Sequence, residues 1–360
     1  MNDTVGIAVV SYAHLHAPRY TASIAAHPQA RLVAIVGYGE NADVAQQAAR
    51  HYGVPFCARL EDLEALPGVD AVYLASEPVD HRELVAWAAA HGWHILCDKP
   101  LATTLEDAAA IVCTARQAGV KLMVPFNPRY QLPVQRIKAD LERGDAGELI
   151  SITAFKYGKL PARARGPQRA DWFLDPQRSG GGGFLDIGIH ALDALRWLSG
   201  SEPRWIYARV GAYIHPDQVT EDLGTVLIEF ENGVLGALTA GWVNPDGFPT
   251  WLDVGFEVLT TRRAYQVYAP YHTLTLYRQP GMERRAWWRR DVDGLVDEFV
   301  RAILEDREPA ITGEDGFTAL AMALAAYASS QRAEPVDFRA WLAPYREMGS
   351  FKGKAFPTTG

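Results

Sequence analysis

An acid and a histidine stand four residues apart in segment 180–193, whose sequence is GGGGFLDIGIHALD. The apolar residues after the glycines predict a helix, which places Asp186 and His190 on one face, about 6 Å apart along its axis. Histidine titrates near neutral pH, so His190 is the best candidate for a general base, and Asp186 can orient it or bind a substrate hydroxyl. A buried structural histidine with a first-turn acid would give the same spacing. The glycine run, which lets the backbone approach a ligand closely, favours a functional site.

Lys99 is the third candidate for chemistry. It follows the apolar run 94–97, which predicts a buried strand, and open α/β sheets bind ligands at the carboxyl ends of their strands. An ammonium there can polarise an oxygen or carry a proton, although a loop lysine considered alone is more often solvated. Together with Asp186 and His190, Lys99 therefore predicts an enzyme site that handles protons.

The first 125 residues alternate apolar runs with amphipathic stretches. Predicted strands lie at 5–10, 32–36, 71–75, 94–97 and 121–125, and predicted helices at 15–26, 42–52, 80–91 and 104–118. Runs that are apolar on both faces are typical of central parallel strands. We therefore predict an α/β Rossmann domain, a doubly wound parallel sheet, over residues 1–127.

After about residue 128 a helix is followed by consecutive strands. The helix is predicted at 130–143, strands at 148–157, 204–214, 222–231, 234–243, 251–259, 264–268 and 273–277, and final helices at 291–304 and 314–331. Strands without intervening helices predict an α+β domain over residues 128–360 with an open, mostly antiparallel sheet, and its C-terminal helices are free to pack back on the first domain. An uncovered apolar sheet face of this size predicts a homodimer or homotetramer.

The loop after the first strand reads Ser11-Tyr12-Ala13-His14-Leu15-His16, where dinucleotide-binding sheets carry G-x-G-x-x-G. An ordinary strand-to-helix turn is one interpretation. A helix N-terminus also binds phosphate through free N–H groups without glycines, so loop 11–15 is the predicted cofactor-binding segment. Glu40, after the second strand, is positioned either for ribose hydroxyls or for the helix dipole. No arginine follows that strand to hold a 2′-phosphate, which favours NAD while leaving NADP possible.

The composition argues against some classes of partner. The formal net charge is -8 and the pI about 5.7, which argues against nucleic acid or an anionic membrane as a partner. No apolar run approaches the roughly 18 residues of a membrane span, and the N-terminus lacks the basic region of a signal peptide, so we expect a cytoplasmic protein. The three cysteines share no metal-ligand spacing, and we predict no metal.

Several motifs in this order resemble the Gfo/Idh/MocA family of NAD(P)-dependent oxidoreductases, which includes glucose–fructose oxidoreductase and inositol dehydrogenase. The resemblance covers nearly the whole chain. Its motifs are Val69-Asp70-Ala71-Val72-Tyr73 followed by His81, Asp98-Lys99-Pro100, Asn127-Pro128-Arg129-Tyr130, the segment from Gly181 to Asp193, and Glu314-Asp315-Gly316. Asp98 stands where the family has glutamate.

The resemblance implies hydride transfer between a nicotinamide and a secondary alcohol of a sugar or polyol. His190 would take the hydroxyl proton, Lys99 would stabilise the alkoxide and Asp186 would hold the geometry. The resemblance also adds residues to the predicted site. It implies Ser76, His81 and Asp98 beside Lys99 at the cofactor, and Asn127, Arg129 and Tyr130 at the substrate. An alternative role for Arg129 is a packing salt bridge. Relatives of this family also use bound NAD without net redox, as lyases, hydrolases or epimerases, and a ligand sensor that lost catalysis is a further alternative.

The long loop 158–182 is predicted to be functional. Trp172 in this loop is predicted to cover the substrate pocket, and its arginines can meet an anionic group or remain solvated: Arg163, Arg165 and Arg169. Four other tryptophans suit stacking on sugar rings, although packing is their commoner role: Trp242, Trp251, Trp287 and Trp288.

Overall fold

The apolar runs of the N-terminal part form a parallel sheet in this computed structural model, which describes residues 4–161, 167–217, 221–269, 273–278, 281–286 and 291–345. The strands are β1 Val5–Val10, β2 Ala30–Val36, β3 Phe56–Cys57, β4 Ala71–Leu74, β5 His94–Cys97 and β6 Leu122–Met123, in the order β3-β2-β1-β4-β5-β6. Every residue of β1 and β4 is buried, because both faces of the sheet are covered. β3 has two residues, too few to give an apolar pattern in the sequence.

Helices connect these strands: α1 Ala17–Ala26, α2 Ala42–Tyr52, α3 Leu60–Glu64, α4 His81–Ala90 and α5 Leu105–Ala118. The order of the strands reverses between β1 and β4, since β2 lies on one side of β1 and β4 on the other. A parallel sheet of this kind has a crevice at the carboxyl ends of the strands where the order reverses. Loop 11–16 and residues 98–100 lie at this edge of the sheet.

The second sheet contains nine strands of the described chain: β7 Leu149–Gly158, β8 Pro203–Gly211, β9 Leu223–Phe230, β10 Leu235–Gly241, β11 Leu252–Thr260, β12 Arg263–Ala269, β13 Thr273–Arg278, β14 Gly281–Ala286 and β15 Val336–Asp337. Their order is β14-β13-β12-β11-β7-β10-β9-β8-β15. Neighbours are antiparallel except for β7 and β10, which pair in parallel. The predicted fold class, a Rossmann sheet followed by a mostly antiparallel sheet, is confirmed.

The remaining helices are α6 Leu132–Glu142, α7 Pro176–Ser179, α8 Gly183–Ser199, α9 Asp291–Leu304, α10 Gly313–Arg332 and α11 Phe338–Tyr345. α8 packs against β7, β9 and β10, and α10 packs on both α8 and α5, so α10 joins the two parts of the molecule. No helix in the described part of the chain combines the length and apolar character that a membrane span requires.

The outer face of the second sheet keeps large apolar side chains exposed. They come from seven adjacent strands and include Ile150, Trp205, Tyr207, Leu227, Leu235, Leu259, Tyr268 and Tyr277. A contiguous apolar surface of this kind marks an interaction site more often than a free surface.

Candidate active site

The first turn of α8 is anchored to the start of β9. The side chain of Glu221 accepts hydrogen bonds from the backbone N–H of Phe184 at 3.1 Å and of Leu185 at 3.3 Å, and from the Tyr327 hydroxyl at 2.5 Å. Burial raises the pKa of Glu221 to about 7. Glycine is required at Gly183, because a Cβ there would lie 2.6 Å from a backbone oxygen. These contacts fix the end of α8 that carries Asp186.

Both oxygens of Asp186 are held by the protein. The Lys99 ammonium donates to Oδ1 and, at 3.1 Å, to the Asp186 backbone carbonyl, while the Trp242 indole N–H donates to Oδ2 at 2.9 Å. Burial alone would raise the pKa of the Asp186 carboxyl, but the charge of Lys99 overrides it and holds this pKa below its usual value. The site therefore contains an ion pair that joins β5 to α8.

His190 lies one turn further along α8 and is 3% exposed. Its Nδ1 is buried and has no hydrogen-bond partner in the described part of the chain. Burial, followed by the charges of Lys156 and Lys99, lowers the pKa of His190 well below its ordinary value. The imidazole is therefore neutral at neutral pH and can accept a proton.

Asp98 forms the floor of the crevice next to Lys99. It accepts hydrogen bonds from the Tyr73 hydroxyl at 2.6 Å and the Lys99 backbone N–H at 2.8 Å, and His16 Nδ1 lies 3.1 Å from Oδ1. Burial acts to raise the pKa of Asp98, yet the contact with the His16 imidazole and the charge of Lys99 keep it well below its usual value. A fully buried carboxylate thus remains ionised beneath the reacting groups.

The ligand atoms of His14, His16 and Asp98 lie within 4.8 Å of one another, a spacing that would allow a metal ion. Two features oppose a cation there. His14 Nδ1 already accepts the backbone N–H of His16 at 3.1 Å. The cluster also adjoins the N-terminus of α1, the positive end of that helix. The absence of a metal stays a prediction.

Loop 11–16 keeps the turn of a dinucleotide-binding loop without its glycines. Ser11 has a φ of 73°, and its hydroxyl donates to the Tyr38 carbonyl at 2.9 Å and accepts the Ala13 N–H at 3.1 Å. The His14 N–H donates to the Ala75 carbonyl at 2.9 Å. The Tyr12 side chain is buried and bonds Thr21, and Leu15 packs against the core. The predicted cofactor contacts of Tyr12 and Leu15 would therefore be made by backbone.

Segment 167–178 of the second domain crosses this loop, and we call it the clasp. The Gln168 side-chain amide donates to the carbonyls of Tyr12 and His14, both at 2.9 Å. The Trp172 indole N–H donates to the Ala13 carbonyl at 3.2 Å. Trp172 thus covers the loop, and its ring lies 5.8 Å from that of His14.

The clasp also reaches the ends of β2 and β4. The backbone N–H and carbonyl of Arg169 pair with the Asn41 side chain at 2.8 and 3.0 Å. The Arg178 guanidinium binds both oxygens of Glu77 and lies 3.1 Å from Glu40. Glu40, the predicted ribose ligand, must leave this ion pair to reach ribose hydroxyls.

Two other predicted cofactor residues support the loop that carries Lys99. Ser76 is buried directly after β4, and its hydroxyl donates to the Glu77 carbonyl at 3.3 Å. His81 Nδ1 lies 3.1 Å from the carbonyls of both Pro100 and Leu101, so it holds the chain after Lys99.

The three residues predicted after β6 differ in their environment. Arg129 forms a two-pronged ion pair with Asp193, at 2.7 and 2.5 Å, within a buried network. Tyr130 packs against α9, where a Cβ at Gly294 would lie 2.8 Å from its ring. Asn127 keeps a buried Oδ1 that has no partner among the described residues. Asn127 is therefore available to a ligand, Arg129 and Tyr130 are held by protein contacts, and the substrate role of all three stays a prediction.

Four buried polar atoms on the elements around the crevice have no partner among the described residues: His14 Nε2, His81 Nε2, Asn127 Oδ1 and His190 Nδ1. Buried polar atoms are normally hydrogen-bonded, so orphaned atoms grouped in a crevice indicate a polar ligand. The reacting end thus fits a nicotinamide with a hydroxylated substrate. At the other end, α1 begins without a side-chain cap and can offer backbone N–H groups to a pyrophosphate.

A parallel sheet in this order, with a lysine–acid pair and a neutral histidine at its crevice, defines a dinucleotide-dependent oxidoreductase. Residues 5–126 match a family model described as an oxidoreductase family with an NAD-binding Rossmann fold, and residues 134–266 match the GFO/IDH/MocA C-terminal domain. The chain belongs to the GFO/IDH/MocA family. This confirms the predicted family, an oxidoreductase family with an NAD-binding Rossmann fold.

Two relatives of this chain are named as enzymes of sugar derivatives. The 1,5-anhydro-D-fructose reductase of Ensifer adhaerens is 32% identical over 285 residues, which cover 76% of this chain and 82% of the relative. The D-apiose dehydrogenase of Rhizobium rhizogenes is 31% identical over 292 residues, covering 76% and 81%.

Two solved structures share the fold. A levoglucosan dehydrogenase in complex with NADH has a TM-score of 0.82 at 21% identity, over 93% of this chain and 99% of its own. The aldose-aldose oxidoreductase of Caulobacter crescentus has a TM-score of 0.79 at 24% identity, over the same shares.

Sequence reasoning missed the partners that hold the predicted residues in place. Trp242 was assigned to stacking or packing, and its indole N–H instead binds Asp186. Glu221 and Gln168 are distant in sequence from α8 and loop 11–16, and no local signal marks them. Arg163, Arg165, Trp287 and Trp288 lie outside the described residues.

Proposed function

We propose that this chain transfers a hydride between NAD(H) and a secondary alcohol or ketone of a sugar or polyol. One observation carries the proposal: a buried Lys99–Asp186 ion pair stands beside the neutral, buried imidazole of His190. Hydroxyl oxidation needs a proton acceptor and a positive group close to the developing alkoxide, and this arrangement supplies both.

The bound cofactor supplies the hydride acceptor. His190 accepts the proton of the substrate hydroxyl, since its imidazole is uncharged. Lys99 stabilises the negative charge on the substrate oxygen, and Asp186, held by Trp242, fixes the position of the ammonium. Asn127 contacts the substrate, and Trp172 closes the pocket from the clasp.

We assign the cofactor to the backbone of loop 11–15 together with Glu40, Ser76, His81 and Asp98. The family model, described as NAD-binding, supports NAD, and NADP stays possible because the Arg178 guanidinium lies 3.1 Å from Glu40. The names of the relatives support a hydroxylated substrate. The orphaned polar atoms of the crevice support it as well.

We also propose a homo-oligomer formed through the outer face of the second sheet. The exposed apolar side chains of β7 to β13 support it. Light scattering after size-exclusion chromatography should show a dimer or tetramer. Leu227→Asp should shift it toward the monomer, and a monomeric wild type would contradict this part.

The experiment begins with titration of the protein with NAD and NADP, followed by a screen of sugars and polyols for reduced nicotinamide. Lys99→Met and His190→Ala should each lower turnover by about 100-fold or more. His51→Ala, in an exposed histidine of α2, is the control. If both site variants kept wild-type turnover on an identified substrate, the assignment would fail.

A non-net-redox enzyme is the second candidate, and the clasp favours it. The hydrogen bonds of Gln168 and Trp172 cover the loop where a cofactor would leave, which suits an enzyme that retains NAD through its cycle. Product analysis separates the two, because only a net dehydrogenase accumulates reduced cofactor in proportion to product.

A further inference from the structure

His14 is a buried histidine whose proton position is fixed by the backbone. The N–H of His16 donates to His14 Nδ1 at 3.1 Å. An amide N–H can only donate, so Nδ1 must be the unprotonated nitrogen of the ring. The neutral imidazole of His14 therefore carries its proton on Nε2, where it is a hydrogen-bond donor.

Among the residues that the structure describes, this donor has no partner. His14 Nε2 is buried, and the side chain is 2% exposed. An unsatisfied buried donor is destabilising, and its presence in a native structure calls for a ligand or a functional role. Burial also lowers the pKa of His14 well below its usual value, which keeps the ring neutral.

The ring of His14 extends from loop 11–16 toward Asp98, which directly precedes Lys99. Its Nδ1 is 3.5 Å from Asp98 Oδ2, further than the 3.1 Å of the amide bond from His16 that sets the tautomer. The charges of Lys99 and Asp186 both act on His14. Trp172 and Phe173 of the clasp cover the ring on its other side, at 5.8 and 5.4 Å.

We propose that His14 contacts the substrate and donates a hydrogen bond from Nε2 to an oxygen on the carbon next to the reacting carbinol. The site would then recognise a vicinal diol rather than an isolated alcohol. This inference rests on the function proposed above. It explains why a histidine is present in a loop where glycines usually allow close approach of the cofactor, because the histidine side chain hydrogen-bonds the substrate.

The test compares a diol substrate from the screen with its analogue lacking the neighbouring hydroxyl. His14→Phe removes the donor at similar volume and should lower kcat/KM for the diol by about 10- to 100-fold, with little change for the deoxy analogue. His14→Gln keeps an N–H donor and should recover most of the loss. His51→Gln is the control for an exposed histidine.

Two further measurements separate this role from others. The dissociation constant for NADH should change less than threefold in His14→Phe, and an equal loss for both substrates or a matching loss of NADH affinity would overturn the proposal. Nitrogen NMR of labelled histidine should show the Nε2–H form of His14, and the Nδ1–H form would also overturn it. If the wild type oxidises no alcohol, both the proposed function and this inference fail. If the wild type is active but His14→Phe lowers kcat/KM equally for the diol and the deoxy analogue, only this inference fails.

Discussion

The two ends of the crevice are built in different ways. At the reacting end, Lys99 from β5 meets Asp186 and His190 from α8, and the ion pair is enclosed by the protein. At loop 11–16 the usual glycines are replaced by side chains, and the loop's carbonyls are bonded to the clasp. The chemistry of the reacting end depends on which side chains are present, whereas cofactor binding at the loop depends on the conformation of the backbone.

The comparison shows that the backbone conformation of a dinucleotide-binding turn can be kept when its usual glycine is replaced. Ser11 holds a φ of 73°, a conformation that favours glycine, because its hydroxyl bonds two backbone groups across the turn. No comparable replacement exists at the reacting end, because the positive charge of Lys99 needs the negative charge of Asp186. Variants at the two ends should therefore affect different measurements.

The largest effect is expected for Asp186→Asn. It removes the counter-ion of Lys99 and leaves a buried ammonium without its partner. We expect kcat to fall by about 100- to 1,000-fold, while the dissociation constant for NADH changes less than threefold. Stopped-flow turnover and fluorescence titration measure the two quantities. Asp43→Asn, at an exposed acid bound to the clasp, is the control, and a similar loss of kcat there would remove the distinction between the ends.

Glu221→Gln tests the anchor of α8 through the pH dependence of stability. The pKa of Glu221 is raised from 4.5 to about 7, so the folded state binds more protons than the unfolded state in this interval. The contribution to stability is present below pH 4.5 and is lost as the pH rises through 7. The wild type should lose about 3 kcal/mol relative to Glu221→Gln between pH 4.5 and 8, measured by urea unfolding. Parallel pH profiles for the two proteins would refute this.

Trp242→Phe tests whether the second oxygen of Asp186 needs its donor. The ring is retained but the hydrogen bond to Oδ2 is lost, so Asp186 is free to rotate away from Lys99. We expect kcat to fall about 10-fold with little change in thermal stability. Trp93→Phe, in a tryptophan that packs on His91 far from the crevice, is the control. Unchanged turnover would show that Lys99 alone orients the carboxylate.

The sequence predicted the reacting end better than the loop. Asp186 and His190 follow from helical spacing, and Lys99 from its place after a strand, because short-range periodicity determines these positions. The ion pair with Arg178 at Glu40 and the Trp242 bond depend on contacts between distant segments. Arg129 illustrates what sequence reasoning cannot predict. Its motif indicates a place near the site, but only the fold shows that Asp193 binds its guanidinium.

Gln168→Ala tests the clasp at the loop end. Its side chain makes two hydrogen bonds to loop carbonyls, so their loss should let the clasp open more readily. We expect both the association and the dissociation rate of NADH to rise about fivefold, with kcat unchanged if chemistry limits turnover. Stopped-flow fluorescence gives both rates. Gln177→Ala, an exposed neighbour in the clasp, should change neither, and slower exchange in Gln168→Ala would contradict a gating role.

The smallest effects are expected at Ser11, where two variants separate the side chain from the backbone. Ser11→Ala loses both hydroxyl bonds but keeps a Cβ in the left-handed region, so the free energy of unfolding should fall by about 1–2 kcal/mol. Ser11→Gly loses the same bonds and is relieved of the unfavourable φ, so it should remain within about 0.5 kcal/mol of wild type. Urea unfolding of the three proteins measures the difference. If alanine and glycine were equally destabilising, the hydroxyl bonds would be the main determinant of stability at this turn, and the backbone conformation would contribute little.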